Sequence, residues 1–369
     1  MAFNVEHLIT RQPIFDRNRE IAFIRLTAQS SEYDAVMPFM LRLANIQDPH
    51  AIYFVPIAWV HDEILLKKLA KNMVLVTPIE AIAENMVEQA RAADFRIAAL
   101  MAQGNAREAG SDFTIMPLGA DAIPSTDTIY TGVDTSDDEA RAKASLAMYY
   151  SGELLSTHAV PVPGNKRINP GHALILELMS AVQQEAEPKV IEALFKRDIT
   201  LTFKLLRYIN SPWYGLVSQV ESVRHALSVI GYQQLLKWLT LLAITAGQEP
   251  SPFLTQTSMI RAKLMELAGA KLLDKRESDN LFVTGMLSLL DRIIGVPMEE
   301  ILKYVNLQPT IVDALLNNAG RYARFLQLAQ ACEGDALPEE MELDDIDVKN
   351  VNIAHLEAIE WAAQAVRNI

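Results

Sequence analysis

The side chains able to do chemistry are scattered through this sequence and do not cluster. Its seven histidines stand at positions 7, 50, 61, 158, 172, 225 and 355, and no two have the helical spacing that would set a metal-binding pair on one face. His61-Asp62 places two ligand types side by side, but at the start of an amphipathic helix, where an Asp is favoured by the helix dipole. The pair therefore reads as a helix start. The single cysteine, Cys332, lies in Ala331-Cys332-Glu333 without a patterned histidine nearby and reads as a semi-buried structural thiol. There is no GxxxxGK[ST] or GxGxxG loop to cradle a phosphate, and no GxSxG elbow to present a serine.

The elements that would have to position any site come in two kinds. In the first ~160 residues short β-like runs alternate with helical ones. The strands expected are Leu8–Phe15, Ile21–Thr27, Ala51–Ile57, Met73–Thr77, Phe95–Leu100, Phe113–Leu118 and Thr128–Val133. Thr77-Pro78-Ile79-Glu80 has the make-up of an N-cap, a first-position Pro and a capping-box Glu, and Ser136-Asp137-Asp138-Glu139 starts another helix in the same way. Repeated strand–helix units imply a mainly parallel sheet, open or closed into a barrel.

Around Pro161-Val162-Pro163-Gly164-Asn165-Lys166 a linker breaks the pattern, and the period beyond it is helical. Asn169-Pro170 can cap a helix whose apolar face is Leu174, Ile175, Leu178, Ala181 and Val182. Further helices are expected over Leu201–Ile209, Ser222–Ile230 (ended by Gly231), Gln234–Ala246, Thr255–Leu273, Leu281–Ile294, Thr310–Asn318 and Ile353–Val366. Asp335 to Asp347, acidic throughout, reads as a solvated loop. The expected division is an α/β domain over 1–160 and an all-helical domain over 161–369.

At 369 residues the chain can bury two cores, and 50% hydrophobic with 21% charged residues is a globular balance. A net charge of −13 argues against broad nucleic-acid or anionic-membrane binding, which depend on Lys and Arg. The lone cysteine fits a reducing compartment, and Met1 to Gln12 lacks the apolar core of a signal peptide. The most apolar stretch, Leu235 to Ala246, is interrupted by Lys237 and too short to span a bilayer. A cytoplasmic protein is expected.

Gln12-Pro13-Ile14-Phe15-Asp16-Arg17-Asn18, followed by a second strand, resembles the opening of bacterial EAL domains, barrels that hydrolyse cyclic di-GMP with divalent metals. The resemblance implies a TIM-like barrel, here short enough to be incomplete or reduced. It also implies a metal-binding Glu on the second strand, at the place held here by Arg25, whose permanent charge would repel a cation. The family's metal-binding Asn falls on Pro56, its paired glutamates on Thr77 and Glu80, its Asp-Asp pair on Leu100-Met101, its catalytic Lys on Met116 and a Gln on Ser151. Glu80 alone keeps its type, and a capping-box role accounts for it.

The second half resembles the HDOD domain, a relative of HD-type phosphohydrolases. The residues that carry this are Asp198-Ile199-Thr200, Lys204 to Ser211, Val223 to Gly231, Leu236-Lys237-Trp238, and Leu281 to Leu290. The His-Asp pair of the catalytic relatives falls on Ser288 and Leu289, neither of which suits a metal.

The resemblances imply a degenerate EAL-like barrel followed by an HDOD bundle, without cofactor or metal, acting on protein partners in cyclic di-GMP or motility signalling. A homo-oligomer also fits. Two other readings stay open: a nucleotide or small-molecule sensor that uses the remnant barrel mouth, with Arg25 facing an anion, and a metal-dependent phosphodiesterase. Lys204, Arg207, Asn210 and Trp213 are the candidate interaction residues, because Arg and aromatic side chains are enriched in binding hot spots. The competing reading makes Asn210 a helix stop and puts Trp213, Tyr214 and Trp238 in the core.

Overall fold

The structure is a computed structural model that describes residues 5–30, 32–45, 52–69, 72–82, 84–101, 111–120, 123–152, 168–211, 219–246, 251–334 and 345–368. The chain divides into two compact units. One comprises Met1–Val160 with Leu328–Glu360, the other Pro161–Gln327 with Trp361–Ile369.

The first unit holds β1 (Thr10–Asp16), β2 (Ile21–Thr27), α1 (Tyr33–Leu43), β3 (Tyr53–Pro56), α2 (Glu63–Lys68), β4 (Met73–Pro78), α3 (Asn85–Ala92), β5 (Arg96–Leu100), β6 (Phe113–Pro117), β7 (Thr128–Thr131), α4 (Ser136–Ala144) and β8 (Tyr149–Tyr150). The eight strands close into a barrel in chain order. β1 is antiparallel to both of its neighbours, β2 and β8, and every other pair is parallel. The barrel is thus complete in strands and reduced in its helical layer: four α-helices serve it among the described residues of the first 152. The seven expected strands are present, and the eighth, Tyr149–Tyr150, is too short to leave a periodic signal.

Alternation along the strands points every second side chain inward. Ile14, Phe23, Phe54, Val74, Val76, Ala98, Phe113, Ile115 and Ile129 form the barrel core. Phe23, Phe54 and Phe113 meet in a triangle with ring centroids 5.1 to 5.5 Å apart, tilted or edge-on as aromatic quadrupoles prefer.

Two helix starts differ from expectation. Thr77 belongs to β4 and caps nothing; a 3-10 turn at Ile79–Ala81 follows, and α3 starts only at Asn85. Glu80 is therefore not a capping-box residue. At α4 the cap is Thr135, one residue earlier than expected, and its reciprocal partner is Asp138. Asp62 does cap α2, accepting from the Leu65 amide, which accounts for the His61-Asp62 pair.

The second unit holds α5 (Pro170–Gln183), α6 (Pro188–Phe195), α7 (Ile199–Ile209), α8 (Val223–Thr245), α9 (Pro252–Gly269), α10 (Lys275–Leu287), α11 (Leu290–Ile294), α12 (Met298–Ile301), α13 (Pro309–Asn317) and most of α14 (Ala323–Ala331). Asn169 caps α5 as its sequence predicts, accepting from the His172 amide. α8 is broken at Gly231, whose φ of 74° and ψ of 173° a side chain would oppose. It is the one described helix long and apolar enough to cross a membrane, with a mean hydropathy of 1.3, yet more than half of that window is buried within the protein. α9 and α10 pack so closely that a Cβ at Gly285 would lie 2.6 Å from the Ala262 Cα.

The last helix, α15 (Val348–Asn368), begins in the first unit. A division at 160 and 161–369 misses this, because 328–360 packs with the barrel. Asn352, 1% exposed, accepts from the Ile9 amide at 2.9 Å and donates to the His7 carbonyl at 2.8 Å. His355 Nδ1 lies 3.1 Å from the Ile9 carbonyl, and the Arg11 amide donates to the Cys332 carbonyl. These bonds satisfy backbone groups leading into β1, which is paired with other strands only from Thr10 onward.

Candidate functional site

A barrel with parallel strands presents its variable chemistry at the carboxyl ends of those strands. One inward step beyond the core lie Arg25 on β2, Pro56 on β3, Pro78 on β4, Leu100 on β5, Pro117 on β6 and Thr131 on β7. Gln12 on the antiparallel β1, opposite Arg25, and Ser151 just after β8 complete this layer. It contains one cation, three prolines and no carboxylate. Proline cannot donate to the next ladder bond, so it ends a strand and puts a ring where a charged ligand would stand. Arg25 is half-buried, in register with Gln12 and Phe54.

The structure brings Arg25, Pro56 and Leu100 into this mouth. Thr77 and Met116 have the opposite register and are buried on the outer side of their strands, so Pro78 and Pro117 hold the inward places there. Met101 follows β5, buried, its amide bonded to the Ile115 carbonyl. Glu80 is exposed in its 3-10 turn. The sequence offered a signal for Pro78 and Pro117, namely two-residue alternation counted from the buried Val76 and Ile115, but motif alignment by eye slipped one place.

The Gln12–Asn18 motif serves the hairpin. Asp16 Oδ1 accepts from the Asn18 and Glu20 amides, closing the turn between β1 and β2. Arg17 Nη2 donates to the carbonyls of Lys143 and Ser145 at the end of α4. Arg19, with φ at 64°, forks onto Glu139 of α4, which also pairs with Lys143 and accepts from the Tyr150 hydroxyl at 2.9 Å. The Arg19 bonds, helped by Lys143 and Tyr150, hold the Glu139 carboxyl down at about 2. Burial, then the bond to Glu139, pushes the Tyr150 phenol up.

In the second unit Ser288 ends α10. Its hydroxyl donates to the Gly285 carbonyl at 2.7 Å and accepts from Arg261 Nη1 at 3.1 Å. Arg261 is 1% exposed and Leu289 2%. A fixed internal guanidinium faces the serine, which opposes a divalent cation there. Among the described residues of the whole chain, no group of three or more His, Cys, Asp or Glu side chains could hold a metal ion.

The candidate interaction residues separate. Asn210 Oδ1 accepts from the Val220 amide and its Nδ2 donates to the Val220 carbonyl, both at 2.8 Å, so it fastens the backbone after α7. Trp213 lies outside the described residues. Trp238 is buried beside Phe195 and Tyr208. Lys204 is half-buried and Arg207 exposed on α7. Missed in the sequence were Ile199 and Phe203 on the same helix, 81% and 64% exposed. A cavity of about 420 Å³ between α2 and α3, lined by Leu66, Lys67, Gln89 and Phe95 among others, touches none of these residues.

Residues 170–298 match the HDOD domain family. An uncharacterized protein YuxH of Bacillus subtilis is 27% identical over 53% of this chain and 50% of its own length. The cyclic di-GMP phosphodiesterase CdgJ of Vibrio cholerae is 24% identical over 64% of this chain and 56% of its own. The chain thus spans about half the length of the curated relatives it matches. Among solved structures, the EAL enzyme Bd1971 with cAMP and cyclic di-GMP bound aligns with a TM-score of 0.31 and 15% identity, covering 40% of this chain and 61% of that one. An EAL domain protein from Listeria monocytogenes aligns with a TM-score of 0.29 and 11% identity, covering 39% of this chain and 85% of that one.

Proposed function

We propose that this chain, which carries an HDOD domain at 170–298 beside an eight-stranded barrel, is a catalytically inactive regulator linked to cyclic di-GMP signalling, working through protein–protein contacts. The observation that carries the reading is the mouth layer, with Arg25 and three prolines at strand ends and no carboxylate. Hydrolysis of a phosphodiester between two metal ions needs oxygen ligands on both sides of the scissile group. The link to cyclic di-GMP rests on the relative CdgJ and on the resemblance of β1 and its turn to EAL domains. The Ser288–Arg261 pair supports inactivity in the helical unit.

Purified chain incubated with cyclic di-GMP and Mg²⁺ or Mn²⁺ is expected to release no hydrolysis product. Turnover that a chelator abolishes would sink the reading. One observation favours a second reading: Arg25 is a cation in a layer otherwise free of charge, so the mouth could take an anionic ligand without metal. Calorimetry with cyclic di-GMP tests it, and binding that Arg25→Ala leaves unchanged removes the mouth as the site.

A further inference from the structure

The outer line of α7 has a composition that a free-standing core helix would not need. Leu201, Leu205 and Ile209 are buried and supply its inner face. Ile199 and Phe203, one turn apart, are 81% and 64% exposed. Arg207 continues the same line another turn on and is exposed, and Lys204 stands beside it, with no ion pair among those described for it. Three positions at four-residue intervals span ~12 Å, two to three helical turns. Between Ile199 and Asn210 there are two cations and no carboxylate, in a chain whose net charge is −13. Other cations nearby are already engaged: Arg197 pairs with Glu177, and Lys196 and Arg224 share Glu192.

We infer that the Ile199–Phe203–Arg207 line of α7 is the docking surface for an acidic amphipathic segment of a partner protein, which deepens the regulator reading and rests on it. The apolar pair leaves water only when covered by apolar side chains, and Phe203 supplies the broad anchor typical of a helix-in-groove contact. Arg207 and Lys204 then select carboxylates at one end, which fixes the direction of the bound segment and rejects basic ones. The preference is for acid because the charge at this spot opposes that of the chain as a whole.

The test uses the full chain and a panel of synthetic peptides about four helical turns long, with two apolar residues one turn apart and glutamates elsewhere. A matched panel replaces each Glu by Lys. By fluorescence anisotropy the acidic panel should bind, more weakly as salt rises, and the lysine panel should not. Phe203→Ser and Arg207→Glu should each weaken binding at least about tenfold, with circular dichroism melts unchanged, since both side chains are on the surface. The assignment is overturned if the two panels bind alike, if neither binds, or if the variants bind as the parent does. It is also overturned if duplex DNA displaces the peptide, or if sedimentation shows a dimer that Phe203→Ser dissolves, for the face then belongs to nucleic acid or to a second copy. Failure of the acidic panel alone leaves the regulator reading standing. Metal-dependent hydrolysis of cyclic di-GMP removes that reading whatever the peptides do.

Discussion

Asn352→Ala tests whether the end of the chain is part of the barrel unit. Asn352 is 1% exposed and bridges two backbone groups, the Ile9 amide and the His7 carbonyl, from a helix 343 residues away. Truncation to Ala leaves both groups buried with no side chain to meet them. Each costs about 1–3 kcal/mol, so the loss should be roughly 2–5 kcal/mol. Domains are stable by only about 5–15 kcal/mol, so this is a large share. Hydrogen exchange would show it as faster exchange of the Ile9 and Arg11 amides, and denaturant unfolding as a lower midpoint. Trp59, buried and the sole tryptophan of the first unit, reports on that unit. Asn350→Ala, exposed on the same helix, should shift stability by less than about 0.5 kcal/mol. If Asn352→Ala behaves like Asn350→Ala, and β1 exchanges at its parental rate, then residues 328–360 do not stabilise the barrel and the argument fails.

Three other outcomes follow from particular contacts. Glu139 has its carboxyl held at about 2 in the folded state against 4.5 ordinarily. Its stabilisation is therefore present above pH 4.5 and lost as pH falls toward 2; Glu139→Gln should remove about 1–2 kcal/mol at neutral pH and flatten the acid limb of a melt-versus-pH series, the half-exposed Arg19 being screened by solvent. Gly285→Ala puts a methyl against the backbone of α9 and should cost about 1–3 kcal/mol in the helical unit, visible as a lower thermal midpoint; a neutral result would mean that α9 and α10 separate freely. Asn210→Ala breaks both bonds to Val220, so a stability loss of about 2 kcal/mol is expected in a thermal melt, and a parental melt would return Asn210 to the list of interaction residues.

Much of the architecture was legible in the sequence because its signals are local. Period-two runs marked seven of the eight strands, Asn169-Pro170 marked the start of α5, and Gly231 marked the break in α8. Arg25 and Ser288 could be placed on their elements for the same reason: a short motif carries its own register. Neighbouring positions with weaker motifs were less secure, since a one-residue slip moves a strand side chain to the opposite face. Thr77 and Met116 slipped in this way, and Pro78 and Pro117 took their places in the mouth.

Two features were decided by tertiary structure alone. The membership of 328–360 in the barrel unit depends on bonds between positions more than 300 residues apart, and nothing near Asn352 or His355 in sequence announces Ile9 as a partner. The exposure of Ile199 and Phe203 is of the same kind. α7 carries two apolar stripes, and periodicity cannot tell which one the bundle covers. Packing chose Leu201, Leu205 and Ile209, and left the other stripe, with Arg207, facing water.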